Sequence, residues 1–269
     1  MKISALISDV DGTLVDSAKE VTDRTRHAVA ELGRRGIAFA AISGRPPEGM
    51  AMLIEPLKLS TPITGFNGGV FARTDLSVIE ERLLAVATTH LAIDFFERRG
   101  IDVWVFAAGN WLVRDGKGAH VDREERAVRF GPKVVKEFGA ALEAAHKVVG
   151  VSDDLELMAR CETEIQATLG PGASASRSQP YYLDVTHPRA NKGAAVHVLA
   201  KLMQVPLGEV AVIGDGNNDI GMFEQSGLSI AMGNASDVVK SKAKLVTASN
   251  DEDGLAQAIE RYLLGGAKA

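Results

Sequence analysis

The sequence predicts an α/β protein whose parallel sheet is assembled from both ends of the chain, with a separate α+β domain inserted between them. Three observations carry that expectation. Apolar runs that read as buried strands, "ISALISDV" and "IAFAAISG" near the start and "GEVAVIGDG" near the end, alternate with helical patterns. Those runs are apolar on both faces, as strands of a helix-covered parallel sheet are. The middle of the chain follows another grammar, since "IDVWVFAAGNWLVRD" reads as a hairpin around Ala108-Gly109-Asn110.

Each element has a local reason. After the first strand, "VTDRTRHAVAELGRRG" is a helix capped by Thr22, with Thr25, Ala28, Val29 and Leu32 on one face and Gly36 as its stop. The strand "IAFAAISG" is closed by Gly44-Arg45-Pro46-Pro47. In the middle, "LLAVATTHLAIDFFERRG" is helical and precedes the hairpin. "KVVKEFGAALEAA", "HKVVGVSD", "DLELMARCETEIQATLG", "ASASRSQ" and "YYLDVTH" then alternate helix and strand, and "GPGASASRSQP" has a loop's composition. Val103, Trp104, Val105 and Trp111 are expected to pack a small sheet rather than stack a ligand. This assigns 83–185 to the insert and leaves 1–82 and 186–269 for the core. The core resumes with the helix "NKGAAVHVLAKLMQV", the strand "GEVAVIGDG" and the helix "NNDIGMFEQSG". Two short strands, "LSIAMGN" and "KLVTAS", and a last helix, "DGLAQAIERYLL", complete it.

Composition excludes several classes. The chain of 269 residues is 46% hydrophobic and 24% charged, ordinary for a globular protein, and its net charge of -5 offers no basic field for nucleic acid. No apolar run approaches the ~20 residues of a membrane span. The apolar stretch at the N-terminus is too short for a signal peptide and ends in acids. The single cysteine, Cys161, has no partner for a disulfide and reads as a small packed helix residue. A cytoplasmic protein, monomeric or a small homo-oligomer, with no nucleic-acid or membrane partner, is the expectation.

Four polar clusters sit where predicted strands end or helices begin, the edge at which open α/β sheets gather ligands. Taken alone, Asp9 and Asp11 are a turn acid and a helix cap. As residues two apart in a strand, however, they point the same way, and two ionised carboxylates side by side ask for a cation. Ser43-Gly44-Arg45 ends a strand, and it also opens an expected helix whose free N–H groups suit an anion. Lys192 reads as a solvated lysine, yet it lies in a first helical turn, where the macrodipole disfavours a cation unless an anion or acid is near. "GDGNND" reads as a Gly/Asn turn with a cap, and Asp215 in it would add a third carboxylate.

Together and in this order the clusters resemble the haloacid dehalogenase superfamily of phosphohydrolases. "DVDGT" is similar to its first motif, "AISGR" to its second, Lys192 to its third and "GDGNND" to its fourth. "GFNGGV" and "IAMGNASDVVKSKAKLVTASNDEDGL" resemble the Cof-like subfamily, group IIB, and the position of the insert resembles a C2-type cap. The resemblance implies a Rossmann-like core with an α+β cap that closes over the site and reads the leaving group. It also implies Mg²⁺-dependent phosphatase chemistry on a small phosphorylated metabolite, a sugar phosphate first. Asp9 would be the nucleophile that forms an aspartyl-phosphate, and Asp11 the acid and base. Mg²⁺ would bind a carboxylate oxygen of Asp9, the backbone carbonyl of Asp11 and the carboxylate of Asp215. Ser43, Lys192, Asn218 and the backbone N–H groups of Val10 and Gly44 would hold phosphate. Asp219 would orient Lys192 or the metal's surroundings. Arg45, Asn67, Arg160 and Tyr182 are candidates for substrate contact, with Tyr181, Asp184 and His187 beside them.

Dehalogenating relatives lack the acid that Asp11 supplies, and the ATP-driven pumps carry "DKTGT" and membrane spans that are not in this sequence. Two other functions fit the motifs. A sugar phosphomutase would yield an isomer instead of inorganic phosphate. A silent Mg²⁺- or phosphate-binding regulatory module would bind without turnover, for which both Asp9 and Asp11 would not be needed.

Overall fold

Five consecutive buried residues, Ala5–Asp9, make the strand β1 around which the first sheet is laid. Leu6 enters one apolar layer while Ala5 and Ile7 enter another, so this strand needs cover on both sides. The computed structural model describes residues 1–265. It divides into a first unit, made of Met1–Gly44, Met50–Ile79 and the chain from Asn191 onward, and a second made of Arg45–Gly49 and Glu80–Ala190.

After β1 come α1 (Asp23–Arg34), β2 (Ala38–Ile42), a 3₁₀ segment Pro47–Leu53, the single turn α2 (Ile54–Leu57), β3 (Ile63–Gly65), β4 (Val70–Ala72) and β5 (Val78–Glu81). The chain continues through α3 (Val86–Glu97), β6 (Asp102–Ala107), β7 (Asn110–Val113), α4 (Val121–Val128), β8 (Lys133–Val134) and β9 (Ala145–Val151). Next are α5 (Leu155–Leu169), β10 (Ser174–Gln179) and β11 (Tyr182–Thr186). It closes with α6 (Lys192–Leu202), β12 (Val210–Gly214), α7 (Ile220–Glu224), β13 (Leu228–Ala231), α8 (Asp237–Lys240), β14 (Leu245–Val246) and α9 (Gly254–Ala258).

The first sheet has the order β14-β13-β12-β1-β2-β3-β4-β5. Its strands from β14 to β3 run parallel, and β4 is antiparallel to β3. One face is covered by α1 and α9, through Ala28, Val29, Leu32 and Leu255. The other is covered by α6 and α7, through Ala195, Val196, Leu199 and Met222. The cap on α1 is the expected one, with Thr22 Oγ1 accepting from the N–H of Thr25 at 3.1 Å. Because β1 pairs with β12 on one side and β2 on the other, the strand order reverses beside it, which opens a crevice at its carboxyl end.

The second unit holds a sheet of order β10-β11-β9-β6-β7-β8 with α3 and α5 packed on one face. Val103, Val105, Val148, Leu183 and Val185 meet Phe96, Cys161 and Ile165 there. The tryptophans pack as expected, Trp104 edge-on to Trp111 with ring centres 5.0 Å apart.

Several local expectations are corrected. "KVVKEFGAALEAA" is not a helix: it contributes β8 and a 3₁₀ turn Gly139–Ala144, because Gly139 takes φ +52° and breaks the helical path. The loop expected over "GPGASASRSQP" is confined to its ends: its "ASASRSQ" part, read as one of the alternating elements, forms β10, an edge strand that pairs with β11 and keeps polar, mostly exposed side chains. Pro47–Leu53 is 3₁₀ rather than α, so "SGR" does not open a regular α-helix. "NNDIGMFEQSG" starts as a 3₁₀ turn before α7, and the last helix continues from α9 into a π turn over Ile259–Leu263. The hairpin of β3 and β4, and the helix α4, carry no periodic signal that the sequence reading used. Among the described residues no helix is long and apolar enough to cross a membrane.

Leu32 is fully buried between α1 and the sheet. Leu32→Ala is expected to cost about 2–5 kcal/mol in the first unit, read as a lowered urea midpoint at unchanged slope, whereas Thr22→Ala costs about 1 kcal/mol. Equal midpoints for wild type and Leu32→Ala would contradict the packing described.

Candidate active site

The polar residues of the first unit meet at the carboxyl edge of its sheet. Asp9 is the last residue of β1 and pairs with Ile42, so Ser43 follows on the neighbouring strand at the same level. Ser8 pairs with Ile213, which brings Gly214 and Asp215 to that edge from the other side. Lys192 is the first residue of α6, whose N-cap Asn191 accepts from the N–H of Ala194 at 2.8 Å.

Lys192 is the hub of this edge. Its side chain is 1% exposed, and its Nζ donates to Asp9 Oδ1 and, at 2.6 Å, to Asp219 Oδ1. A buried ammonium in a first helical turn is costly, and the two carboxylates answer that cost. Burial alone would lower the pKa of Lys192, but Asp219 and then Asp9 raise it above its ordinary value. Asp219 also accepts through Oδ2 from the backbone N–H groups of Asp215 at 2.9 Å and Gly216 at 2.8 Å.

Asp9, Asp215 and Asp219 each place an oxygen within 4.8 Å of the others. Three carboxylates against one ammonium leave a formal charge of -2. Burial raises the pKa of Asp9 well above the usual carboxylate range, Lys192 opposes it, and Asp219 and Asp215 add to the rise. Asp215 is raised too, by burial and then by Asp219. Hard oxygen donors, an uncompensated charge of that size and raised carboxylates are what a divalent cation such as Mg²⁺ fits. Asp9, Asp215 and Asp219 each offer a carboxylate oxygen to such an ion.

Asp215 is held by neutral donors. Thr13 Oγ1 donates to its Oδ1 at 3.0 Å, and Asn234 Nδ2 donates to its Oδ2 at 3.3 Å and to the carbonyl of Gly12 at 2.9 Å. Gly12 makes the approach possible: its φ is +80°, and a Cβ there would stand 2.5 Å from Asp215 Oδ2. Asn234 is a residue the sequence reading missed. It lies in the quoted "IAMGNASD" stretch, but nothing local in that stretch announces a contact with Asp215.

Asp11 departs from expectation. The strand ends at Asp9, Asp11 makes only an isolated bridge with Val15, and its Oδ1 accepts from Lys19 Nζ at 2.7 Å. Its carboxylate is outside the group formed by Asp9, Asp215 and Asp219. Asp9 is grouped with two acids from the fourth cluster. The strand ends at Asp9 and Val10 begins a turn, so the alternation that the expectation used does not extend to Asp11.

The remaining candidates divide. Ser43 is buried; its N–H donates to the carbonyl of Thr64 at 2.9 Å and its carbonyl accepts from the N–H of Asn67 at 2.8 Å. The Asn67 side chain lies beside Gly44 and accepts from Asn218 Nδ2 at 3.2 Å, tying the second and fourth clusters together. Val10 is buried, and its carbonyl accepts from the N–H groups of Leu14 at 2.9 Å and Val15 at 3.1 Å. Arg45, Arg160 and Tyr182 belong to the second unit. Arg45 is buried and donates to the carbonyl of Gly49 at 3.2 Å, and Arg160 is exposed on α5. Tyr182 packs beside Trp104, donates to the carbonyl of His120 and has its pKa raised by burial. Tyr181 stacks on His120, Asp184 pairs with Lys147 at 3.2 Å, and His187 Nδ1 accepts from the N–H of Arg189.

The charge excess has a stability signature. Asp9 binds its proton more tightly in the folded than in the unfolded chain, so metal-free protein loses stability as pH rises from the ordinary carboxylate range through the raised value. Asp9→Asn removes that term. In the presence of a chelator its thermal midpoint is expected to exceed that of wild type at pH 8, with the difference shrinking toward pH 5. A difference that grows on acidification would contradict the electrostatic account.

Comparison with known proteins agrees with this geometry. The family model described as haloacid dehalogenase-like hydrolase matches residues 6–259. A Haemophilus influenzae protein provisionally named a phosphatase is 31% identical over 268 residues, covering 97% of this chain and 98% of the relative. A 5-amino-6-(5-phospho-D-ribitylamino)uracil phosphatase of Bacillus subtilis is 27% identical over 262 residues, covering 97% and 96%. The crystal structure of a haloacid dehalogenase-like hydrolase from Bacteroides thetaiotaomicron superposes with a TM-score of 0.89 at 27% identity, covering 97% of this chain and 99% of the other. The chain belongs to the haloacid dehalogenase-like hydrolase family.

Proposed function

We propose that the protein is a Mg²⁺-dependent phosphatase that hydrolyses a small phosphorylated metabolite, a sugar or polyol phosphate, through an aspartyl-phosphate on Asp9. The observation that carries the reading is the meeting of Asp9, Asp215, Asp219 and buried Lys192 at one sheet edge. The B. subtilis relative supports the substrate class, because the compound in its name carries a phosphorylated ribityl chain.

Asp9 would attack phosphorus in line, forming a carboxylate oxygen–phosphorus bond while the bond to the leaving oxygen breaks. Asp11 would deliver a proton to that oxygen, so the product departs as an alcohol. The Asp11 carboxylate then takes a proton from water as the water oxygen attacks phosphorus, the bond to Asp9 breaks, and inorganic phosphate leaves. Asp9 and Asp215, with the backbone carbonyl of Asp11, would hold Mg²⁺, which when bound neutralises charge on Asp9 and the phosphoryl oxygens. Lys192, Ser43, Asn218 and the N–H groups of Val10 and Gly44 would hold the remaining phosphate oxygens. Asp219 keeps Lys192 aimed. Electrostatic positioning has to supply most of the acceleration, since one placed acid contributes only ~10²–10⁴.

The inserted second unit, with a sheet and an apolar core of its own, is proposed as the cap that distinguishes among leaving groups. Arg45, Arg160 and Tyr182 stay as its candidates for substrate contact, and Asn67 as that of the first unit.

A screen of phosphorylated metabolites with Mg²⁺ is expected to release inorganic phosphate from a subset of sugar or polyol phosphates, and a chelator to abolish it. Asp9→Asn should reduce turnover by at least ~10³-fold, in the range that loss of an essential nucleophile produces. Turnover that survives this substitution, or an isomerised product without phosphate release, would refute the assignment. Gly12→Ala should push Asp215 aside and remove the thermal stabilisation that Mg²⁺ gives; undiminished stabilisation would take Asp215 out of the metal site.

A further inference from the structure

The stretch "IAMGNASD" has no part in the reaction above, yet it delivers Asn234 to the acids. The loop that carries Asn234 is pinned on both sides. The N–H of Met232 donates to the carbonyl of Gly214 at 3.0 Å, and that of Gly233 to the carbonyl of Ala248 at 2.9 Å. Met232 and Ala235 are buried, while Asn234 between them is exposed. Every polar atom of its amide has a partner. Oδ1 accepts from the N–H of Asn250 at 3.1 Å, which turns Nδ2 toward two acceptors, the carbonyl of Gly12 at 2.9 Å and Asp215 Oδ2 at 3.3 Å.

The other oxygen of Asp215, Oδ1, accepts from Thr13 Oγ1 at 3.0 Å. One hydrogen bond leaves a carboxylate able to swing about the bonded oxygen, whereas a donor on each oxygen sets its plane. That restraint works against repulsion, because the carboxylates of Asp219 and Asp9 lie beside Asp215 and repel it when ionised. Both donors also fasten Asp215 to one turn: Thr13 belongs to it, and Asn234 bridges to the carbonyl of Gly12. The Gly12 carbonyl lies one peptide beyond that of Asp11, the backbone oxygen proposed for the metal. Asn234 therefore ties a carboxylate donor to a backbone turn without changing the formal charge. Outer hydrogen bonds of this kind orient metal ligands, and losing one costs roughly 10–100-fold in metal affinity.

We infer that Asn234 is a positioning residue for the divalent cation: by tying the Asp215 carboxylate to the Gly12 turn it fixes the spacing of the oxygen donors, and so favours Mg²⁺ over a larger ion. This rests on the Mg²⁺ site of the proposed function. Mg²⁺ demands near-ideal octahedral geometry at roughly 2.0–2.1 Å, whereas Ca²⁺ accepts varied geometry at roughly 2.3–2.6 Å. A site whose donors have been loosened therefore penalises the smaller ion more.

The test titrates the full chain with Mg²⁺ alone and with Ca²⁺ alone by calorimetry, without substrate. Asn234→Ala is expected to weaken Mg²⁺ binding about tenfold or more, and Ca²⁺ binding by no more than about threefold. Asn234→Asp keeps the size of the side chain, but once ionised it cannot donate. Its added charge acts on both ions, so the ratio of the two affinities should fall as it does for Asn234→Ala. Urea midpoints in chelator report the fold separately, and Asn234→Asp carries the test if the alanine variant is poorly folded. Equal losses for the two ions, or an unchanged Mg²⁺ affinity, overturn the inference, since an asparagine that only braces its loop would behave in those ways. Failure of the metal reading looks different: wild type itself then binds no Mg²⁺, and the inference falls with it.

Discussion

The sharing of one buried ammonium between Asp9 and Asp219 is the constraint on which the rest of the first unit depends. Removing a lysine and its partners from water costs several kcal/mol per ion, and the interior returns it only if every polar atom is answered. Here the answers come from three distant parts of the chain. Lys192 is 183 positions from Asp9 and 27 from Asp219, and Asp219 is in turn fastened to the backbone of Asp215 and Gly216. The end of β1, the start of α6 and the exit of β12 therefore cannot shift independently.

Around that hub the chain separates two jobs by the kind of donor it uses. Lys192 holds Asp9 and Asp219, Asp219 also accepts from two backbone N–H groups, and the hydroxyl of Thr13 and the amide of Asn234 hold Asp215. A neutral donor fixes a carboxylate without cancelling its charge. Thr13 and Asn234 restrain Asp215 without adding a formal charge beside it. Asp219 spends its charge inside the protein.

Much of this was legible in the sequence. Buried parallel strands announce themselves as unbroken apolar runs, and helices such as α1 carry a cap, a stripe and a stop that act locally. The anomalous position of Lys192 in a first turn pointed to acids nearby, and acids are what it meets. What could not be read is what depends on turns and long-range contacts. The strand ends at Asp9, two residues before Asp11, where the strand argument no longer applies. Asn234 reaches Asp215 through a loop with no periodicity. Helix α4 is short, and the segment expected to be a helix before β9 fails at Gly139.

The central position of β1 has a bearing on biosynthesis. Its two neighbours come from opposite parts of the chain, β2 from residues 38–42 and β12 from residues 210–214. At ~5–20 residues per second, a ribosome needs roughly 10–40 s to travel from the one to the other. For that interval the nascent strand has one bare edge and an apolar face without α6, so Asp9 emerges long before any group that can share its charge. The second unit, with local strand pairings and a core of its own, can mature during the wait. Chaperone demand in the cell should therefore fall on the earliest-made part of the molecule, and late truncations should be more damaging than their distance from Asp9 along the chain suggests.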